Sequence, residues 1–215
     1  MFSSPENPDR QINRMAGCAT MGLWVWKWLV RLVLGFALFI VLVAIFDSLY
    51  WDHRHQLPYR QVAAKATLKD LEVSLKHFKT EYGELPIKPN ESQIIRTEGT
   101  LLLSLLGEKT AANPRGIKFL DAPIARYGKS GMIHLDPEVQ SITPETALVD
   151  PWGERYYLLL ESTGDEHIPN PERLPGATGK ATQRAPESIP ASSAIFSSGP
   201  DKDPKTWDDN VCSWR

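Results

Sequence analysis

The sequence predicts an α+β protein, with an N-terminal transmembrane helix ahead of a domain in which a long amphipathic helix packs on a small antiparallel sheet. Three observations carry this. Leu32–Phe46 is a run of fifteen residues without a polar side chain. Ala64, Leu68, Leu71, Leu75, Phe78 and Tyr82 recur at spacings of 4, 3, 4, 3 and 4. Beyond Leu106 the chain turns Gly- and Pro-rich, broken by short strand-like runs.

The transmembrane helix is placed at residues 23–50, behind a cytosolic tail of residues 1–22. Extended back to Trp28, the apolar run covers about 28 Å at the rise of an α-helix, close to the thickness of a bilayer core. Trp24, Trp26 and Trp28 cluster at one end, with Tyr50 and Trp51 at the other, as an aromatic belt requires. Arg10, Arg14, Lys27 and Arg31 precede the run, which places the N-terminus in the cytoplasm and residues after about 50 outside. No small-x-small cleavage pattern follows Phe46, so the helix reads as an uncleaved anchor.

Pro58 marks a break, after which the spaced apolar stripe defines an amphipathic helix. Gly83 and Pro86 end it. A second short helix is predicted at Gly99–Leu106. Strands are predicted at Ile117–Leu120, Met132–Leu135, Tyr156–Leu160 and Ala194–Ser197, with Asp150-Pro151-Trp152-Gly153 as the turn that launches the third. Residues 161–193 hold five prolines and three glycines, and read as a long surface loop within a domain of residues 59–215.

With 24 Lys and Arg against 26 Asp and Glu, the net charge is −2, which excludes the basic excess of a nucleic-acid binder. Two cysteines, Cys18 and Cys212, are assigned to opposite sides of the membrane and build no disulfide framework. Cys212 is then a buried small side chain or a free thiol. Gly128-Lys129-Ser130 lacks the upstream Gly of a phosphate loop, since Pro123 stands there. His53 and His55 form an H-x-H pair beside the membrane interface, with no Cys nearby in sequence, and read as solvated interfacial histidines rather than a zinc site. No catalytic motif is visible, and an enzyme is not expected.

One cluster invites metal. Asp201, Asp203, Asp208 and Asp209 fall within nine residues of a Gly- and Pro-containing segment that begins near Ser198. Hard oxygen ligands on a turning loop suit Ca2+; the alternative is a solvated acidic turn.

Four motifs in order resemble the type II secretion major pseudopilin (protein G-like) and prepilin-like family. They are Ala63–Glu81 with Tyr82-Gly83-Glu84-Leu85-Pro86, then Leu101–Gly107, then Asp150-Pro151-Trp152-Gly153-Glu154-Arg155-Tyr156. The last is Phe196-Ser197-Ser198-Gly199-Pro200-Asp201 followed by Asp208-Asp209-Asn210-Val211. The resemblance covers roughly residues 59–215. It implies a helix-on-sheet fold and a Ca2+ loop with Asp201 and either Asp208 or Asp209 as the leading side-chain ligands. Asp203 has no firm counterpart, and backbone carbonyls near Ser198 complete the shell. It also implies a structural component of a type II secretion or type IV pilus-like system in a bacterial inner membrane, with other pseudopilins or secretion components as partners. The N-terminus departs from the family: in Gly35-Phe36-Ala37-Leu38-Phe39-Ile40, Ile40 stands where the family carries the Glu used in assembly. The alternative is therefore a membrane-tethered extracytoplasmic binding module that reuses this fold outside a secretion machine.

Overall fold

A computed structural model describes residues 8–88, 93–162 and 164–215, with side chains described for 26–46, 57–88, 93–162 and 164–215. The chain divides into two compact units, Met1–Gln56 and Leu57–Arg215. His53, His55 and Cys18 lie outside the residues whose side chains are described.

Helix α1 runs from Pro8 to Tyr82. In the first unit it contains Trp26–Phe46, 21 residues of mean hydropathy 2.9 with none buried, long and apolar enough to cross a membrane. The expected break at Pro58 does not occur, because the helix continues through it. Proline forfeits one i→i−4 hydrogen bond and crowds the preceding turn, a cost of about 3 kcal/mol. Burial of the stripe that follows offsets this cost.

In the second unit that stripe is buried as the spacing requires: Ala64, Leu68, Leu71, Leu75 and Phe78 are each at most 2% exposed. Phe78 packs in tilted geometry against Tyr82 and Phe119, with ring centroids 4.8 and 5.0 Å away. Gly83, at φ +78°, takes the left-handed conformation that ends the helix, and its N–H bonds the Lys79 carbonyl at 2.8 Å.

The main sheet has four antiparallel strands in the order β1 (Ile95–Arg96), β4 (Tyr157–Leu160), β7 (Ser193–Ser197) and β8 (Val211–Cys212). Between β1 and β4 in sequence lie helix α2 (Gly99–Leu106) and the pair β2 (Gly131–Ile133) and β3 (Ala147–Val149). Along β4 and β7 the side chains alternate between two cores. Leu158, Leu160 and Ile195 join the α1 stripe and α2. Tyr157, Leu159, Ala194 and Phe196 pack on the opposite face with Ile168, Ile189 and Trp207.

Two further expectations are corrected. Ile117–Leu120 is not a strand, because the N–H groups of Phe119 and Leu120 both donate to the Leu105 carbonyl, at 2.9 and 2.8 Å. That pairing docks the segment on α2 and leaves it without a strand partner. Residues 161–193 are not simply a surface loop. They form a hairpin of β5 (His167–Pro169) and β6 (Ser188–Pro190), with 3₁₀ turns at Pro171–Arg173 and Thr182–Arg184. Ile168 and Ile189 are register partners, and both are buried on the second face of the sheet. The strands of the sheet are apolar on both faces, so a cover is required on each.

Candidate functional site: the acidic C-terminal loop

The acidic loop leaves β7 at Ser197 and returns into β8 at Val211. Its foundation is the Asp150 turn. Asp150 is fully buried, and its Oδ1 accepts N–H bonds from Trp152 at 2.8 Å and Glu154 at 2.9 Å. The Ser197 hydroxyl donates to Asp150 Oδ2 at 2.5 Å, and the same Ser197 oxygen accepts from the Gly199 N–H at 3.1 Å. The turn at 150–153 thus holds the first residues of the loop through a two-bond relay. Desolvation raises the Asp150 pKa, against the opposing pull of Ser197 and the backbone amides. Across the outer surface, Lys202 Nζ lies 3.5 Å from Glu154.

Gly199 is forced. Its φ is +68°, and a Cβ there would stand 2.5 Å from the Asp209 carbonyl oxygen. The two ends of the loop are therefore in backbone contact. On the other side the loop is clasped by residues 178–180: Thr178 N–H bonds the Lys205 carbonyl at 2.8 Å, and Lys180 N–H bonds Asp208 Oδ1 at 2.7 Å.

The four aspartates are engaged differently. Asp201 Oδ1 accepts from Asp203 N–H at 2.9 Å, and Asp203 Oδ1 accepts from Lys205 N–H at 2.9 Å. These are Asx turns that shape the loop. Asp208 gives one oxygen to the Lys180 amide. Asp209 Oδ2 accepts weakly from Asp201 N–H at 3.3 Å, while Asp209 Oδ1 is buried without a hydrogen-bond partner. The Ser198 hydroxyl and Asn210 Oδ1 are likewise buried without partners. Desolvation first, then the charge of Asp201, raises the Asp209 pKa.

For Ca2+ the fit is in oxygen chemistry. An unpartnered carboxylate oxygen and an unpartnered hydroxyl stand on a loop with excess negative charge. Among the described residues, however, no three His, Cys, Asp or Glu side chains converge as a metal-holding group. A Ca2+ here would be held by Asp209, Asp201 and oxygens near Ser198, with Asp208 sharing its carboxylate with Lys180. Asp203, like Asp201, already gives one carboxylate oxygen to a backbone N–H two residues on, that of Lys205. A cavity of about 410 Å³ opens beside Asp208 and Asp209.

Sequence reasoning marked the Asp150 turn and the acidic loop separately. It missed the link between them, and it missed the clasp by residues 178–180. The sequence signal for the link is Ser197, a polar residue that follows the apolar run Ala194-Ile195-Phe196. Cys212 is buried next to this loop, and burial pushes its thiol up to about 11. No family model, curated protein or solved structure matches the chain.

Proposed function

We propose that this chain is a membrane-anchored, pseudopilin-like structural component of a type II secretion or type IV pilus-like system. In this reading it sits in a bacterial inner membrane with the N-terminus cytoplasmic and the unit after Gln56 periplasmic, and its C-terminal loop is stabilised by Ca2+. The observation that carries the reading is the Asp150–Ser197 bond. It joins the two most specific motifs of the resemblance, 47 residues apart, into one buried structure beneath the acidic loop. Ca2+ would supply positive charge to an oxygen cluster whose carboxylates otherwise repel.

Thermal unfolding of the detergent-solubilised chain tests the metal. A cation that binds only the folded state stabilises it by about 2.7 kcal/mol at a hundred times its Kd. The expected outcome is a melting temperature that rises with CaCl2 and falls back with chelator. In the Asp201→Ala, Asp209→Ala double variant the rise is expected to vanish. An unchanged response in that variant would remove Ca2+ from the loop. The assembly role is tested by affinity purification from native membranes, where pilin-like and secretion-apparatus subunits are the expected co-purifying proteins.

Ile40 favours the second reading, a tethered binding module. A carboxylate at that depth would need a charged partner, and an isoleucine removes that pairing device. Purification that repeatedly yields no secretion subunit is the outcome that selects this reading over the first.

A further inference from the structure

We propose that Lys27, Trp28, Arg31 and the notch at Gly35 form a seat for one anionic phospholipid, its phosphate on the two cations and an acyl chain in the notch. The seat presupposes that Trp26–Phe46 crosses a bilayer. Arg31 stands five residues past Trp26, about 7.5 Å into that span along the helix axis. A charge at such a depth needs a partner. No Asp or Glu occurs between Asp9 and Asp47, so the helix itself offers Arg31 no carboxylate within reach.

The second cation sharpens that need. Lys27 precedes Arg31 at the i,i+4 spacing, which puts both on one face. Like charges at that spacing repel, and more strongly as the dielectric falls toward the bilayer. Side chains on a helix lean toward its N-terminus, so both cationic heads lean toward the Trp26 end, where lipid phosphates lie. An anion held between them removes the repulsion. A zwitterionic lipid brings an ammonium that the same pair repels, so the headgroup selected is one of net negative charge.

The notch supplies the second half of the recognition. Its volume is about 360 Å³, and it is lined by Trp28, Arg31, Leu32, Gly35 and Phe36, which share one helix face. Trp28, Leu32 and Phe36 are each more than half exposed. A Cβ added at Gly35 would meet nothing within 4 Å, so the hollow is open to its surroundings. The hollow extends from Arg31 toward the middle of the span, the course of an acyl chain whose phosphate sits on the cations. The indole N–H of Trp28 adds a neutral donor in the same notch. A second transmembrane helix suits this face poorly. Close approach of two helices needs small residues repeated each turn, whereas Gly35 has Arg31 one turn before it and Phe39 one turn after.

The test is native mass spectrometry of the full, delipidated chain in a non-ionic detergent, titrated with dioleoyl-phosphatidylglycerol or dioleoyl-phosphatidylcholine. One saturable lipid adduct is expected, about tenfold tighter for phosphatidylglycerol. Arg31→Leu is expected to erase that preference and Lys27→Gln to reduce it. Gly35→Leu keeps both charges and fills the notch, and is expected to weaken phosphatidylglycerol binding about tenfold. Leucine is a better helix former than glycine and more apolar than arginine, so neither leucine variant loses binding by losing the helix. Equal affinity for the two lipids, adducts that grow without saturation, or an unchanged preference in either cation variant overturns the proposal, and leaves a neighbouring protein's carboxylate as the partner of Arg31. Unweakened binding by Gly35→Leu, or equal competition by inorganic phosphate, shows charge attraction without an acyl-chain seat and overturns it too. Flotation with phosphatidylcholine vesicles separates the two failures. A chain that does not float refutes the span, whereas one that floats yet shows no lipid preference refutes the seat alone.

Discussion

Asp150 shows how much a single buried carboxylate organises. It takes two amides and a hydroxyl, and through Ser197 it fixes Gly199 and the start of the acidic loop. Asp150→Ala leaves those three donors unpaired in a buried site. The expected loss is about 3 kcal/mol in urea unfolding, since each orphaned buried group costs about 1–3 kcal/mol and partial relaxation recovers some of it. The pH dependence follows from the direction of the shift. The folded chain holds the Asp150 proton to higher pH than the unfolded chain does, because burial raises its pKa. This group's stabilising contribution is therefore full below the ordinary aspartate value of about 3.9, and is lost as pH rises through the raised folded value. Asp150→Asn does not titrate. The native chain's advantage over Asp150→Asn, read from urea midpoints at a series of pH values, is expected to shrink as pH rises from about 4. An advantage that grows over that interval would contradict the shift. In the sequence Asp150 was legible as the first residue of a turn. Its burial was not, because the partner that buries it lies on a strand 47 residues away.

At the scale of elements, legibility followed periodicity. The α1 stripe, the Gly83 stop and helix α2 at Gly99–Leu106 were all readable, since a helix repeats its pattern over several turns. The central strands β4 and β7 were readable as continuous apolar runs. Strands β5 and β6 were not: each places one buried isoleucine beside a proline, and proline argues against a strand. Strands β1 and β8 are two residues long, too short for any alternation to register. The helix face supports a direct test. Phe78 is fully buried against Tyr82 and Phe119, so Phe78→Ala opens a cavity and is expected to cost about 3–5 kcal/mol. Val73, on the same helix and 40% exposed, is the control. Val73→Ala is expected to change stability by less than about 0.5 kcal/mol. Similar losses in the two variants would mean that the stripe does not carry the packing of the helix.

The whole molecule joins two chemistries that average out in its composition. A mean hydropathy of −0.29 describes neither part: Trp26–Phe46 alone reaches 2.9, and the unit from Leu57 onward buries its apolar residues in cores on both faces of one sheet. That contrast separates the energetics. Among the described residues, every core residue of the sheet and its covers lies at or after Ala64. Residues 57–215 expressed alone are therefore expected to unfold in one cooperative transition and to stay in the aqueous phase on detergent cloud-point partition. The full chain is expected to enter the detergent phase, because an exposed apolar surface of 21 helical residues has no other shelter in water. Aggregation or non-cooperative melting of the shorter chain would show that the fold needs residues before Leu57. Aqueous partition of the full chain would show that the apolar span is covered by protein rather than lipid. The two readouts are independent, so a failure in one assigns the fault to the domain or to the span without ambiguity.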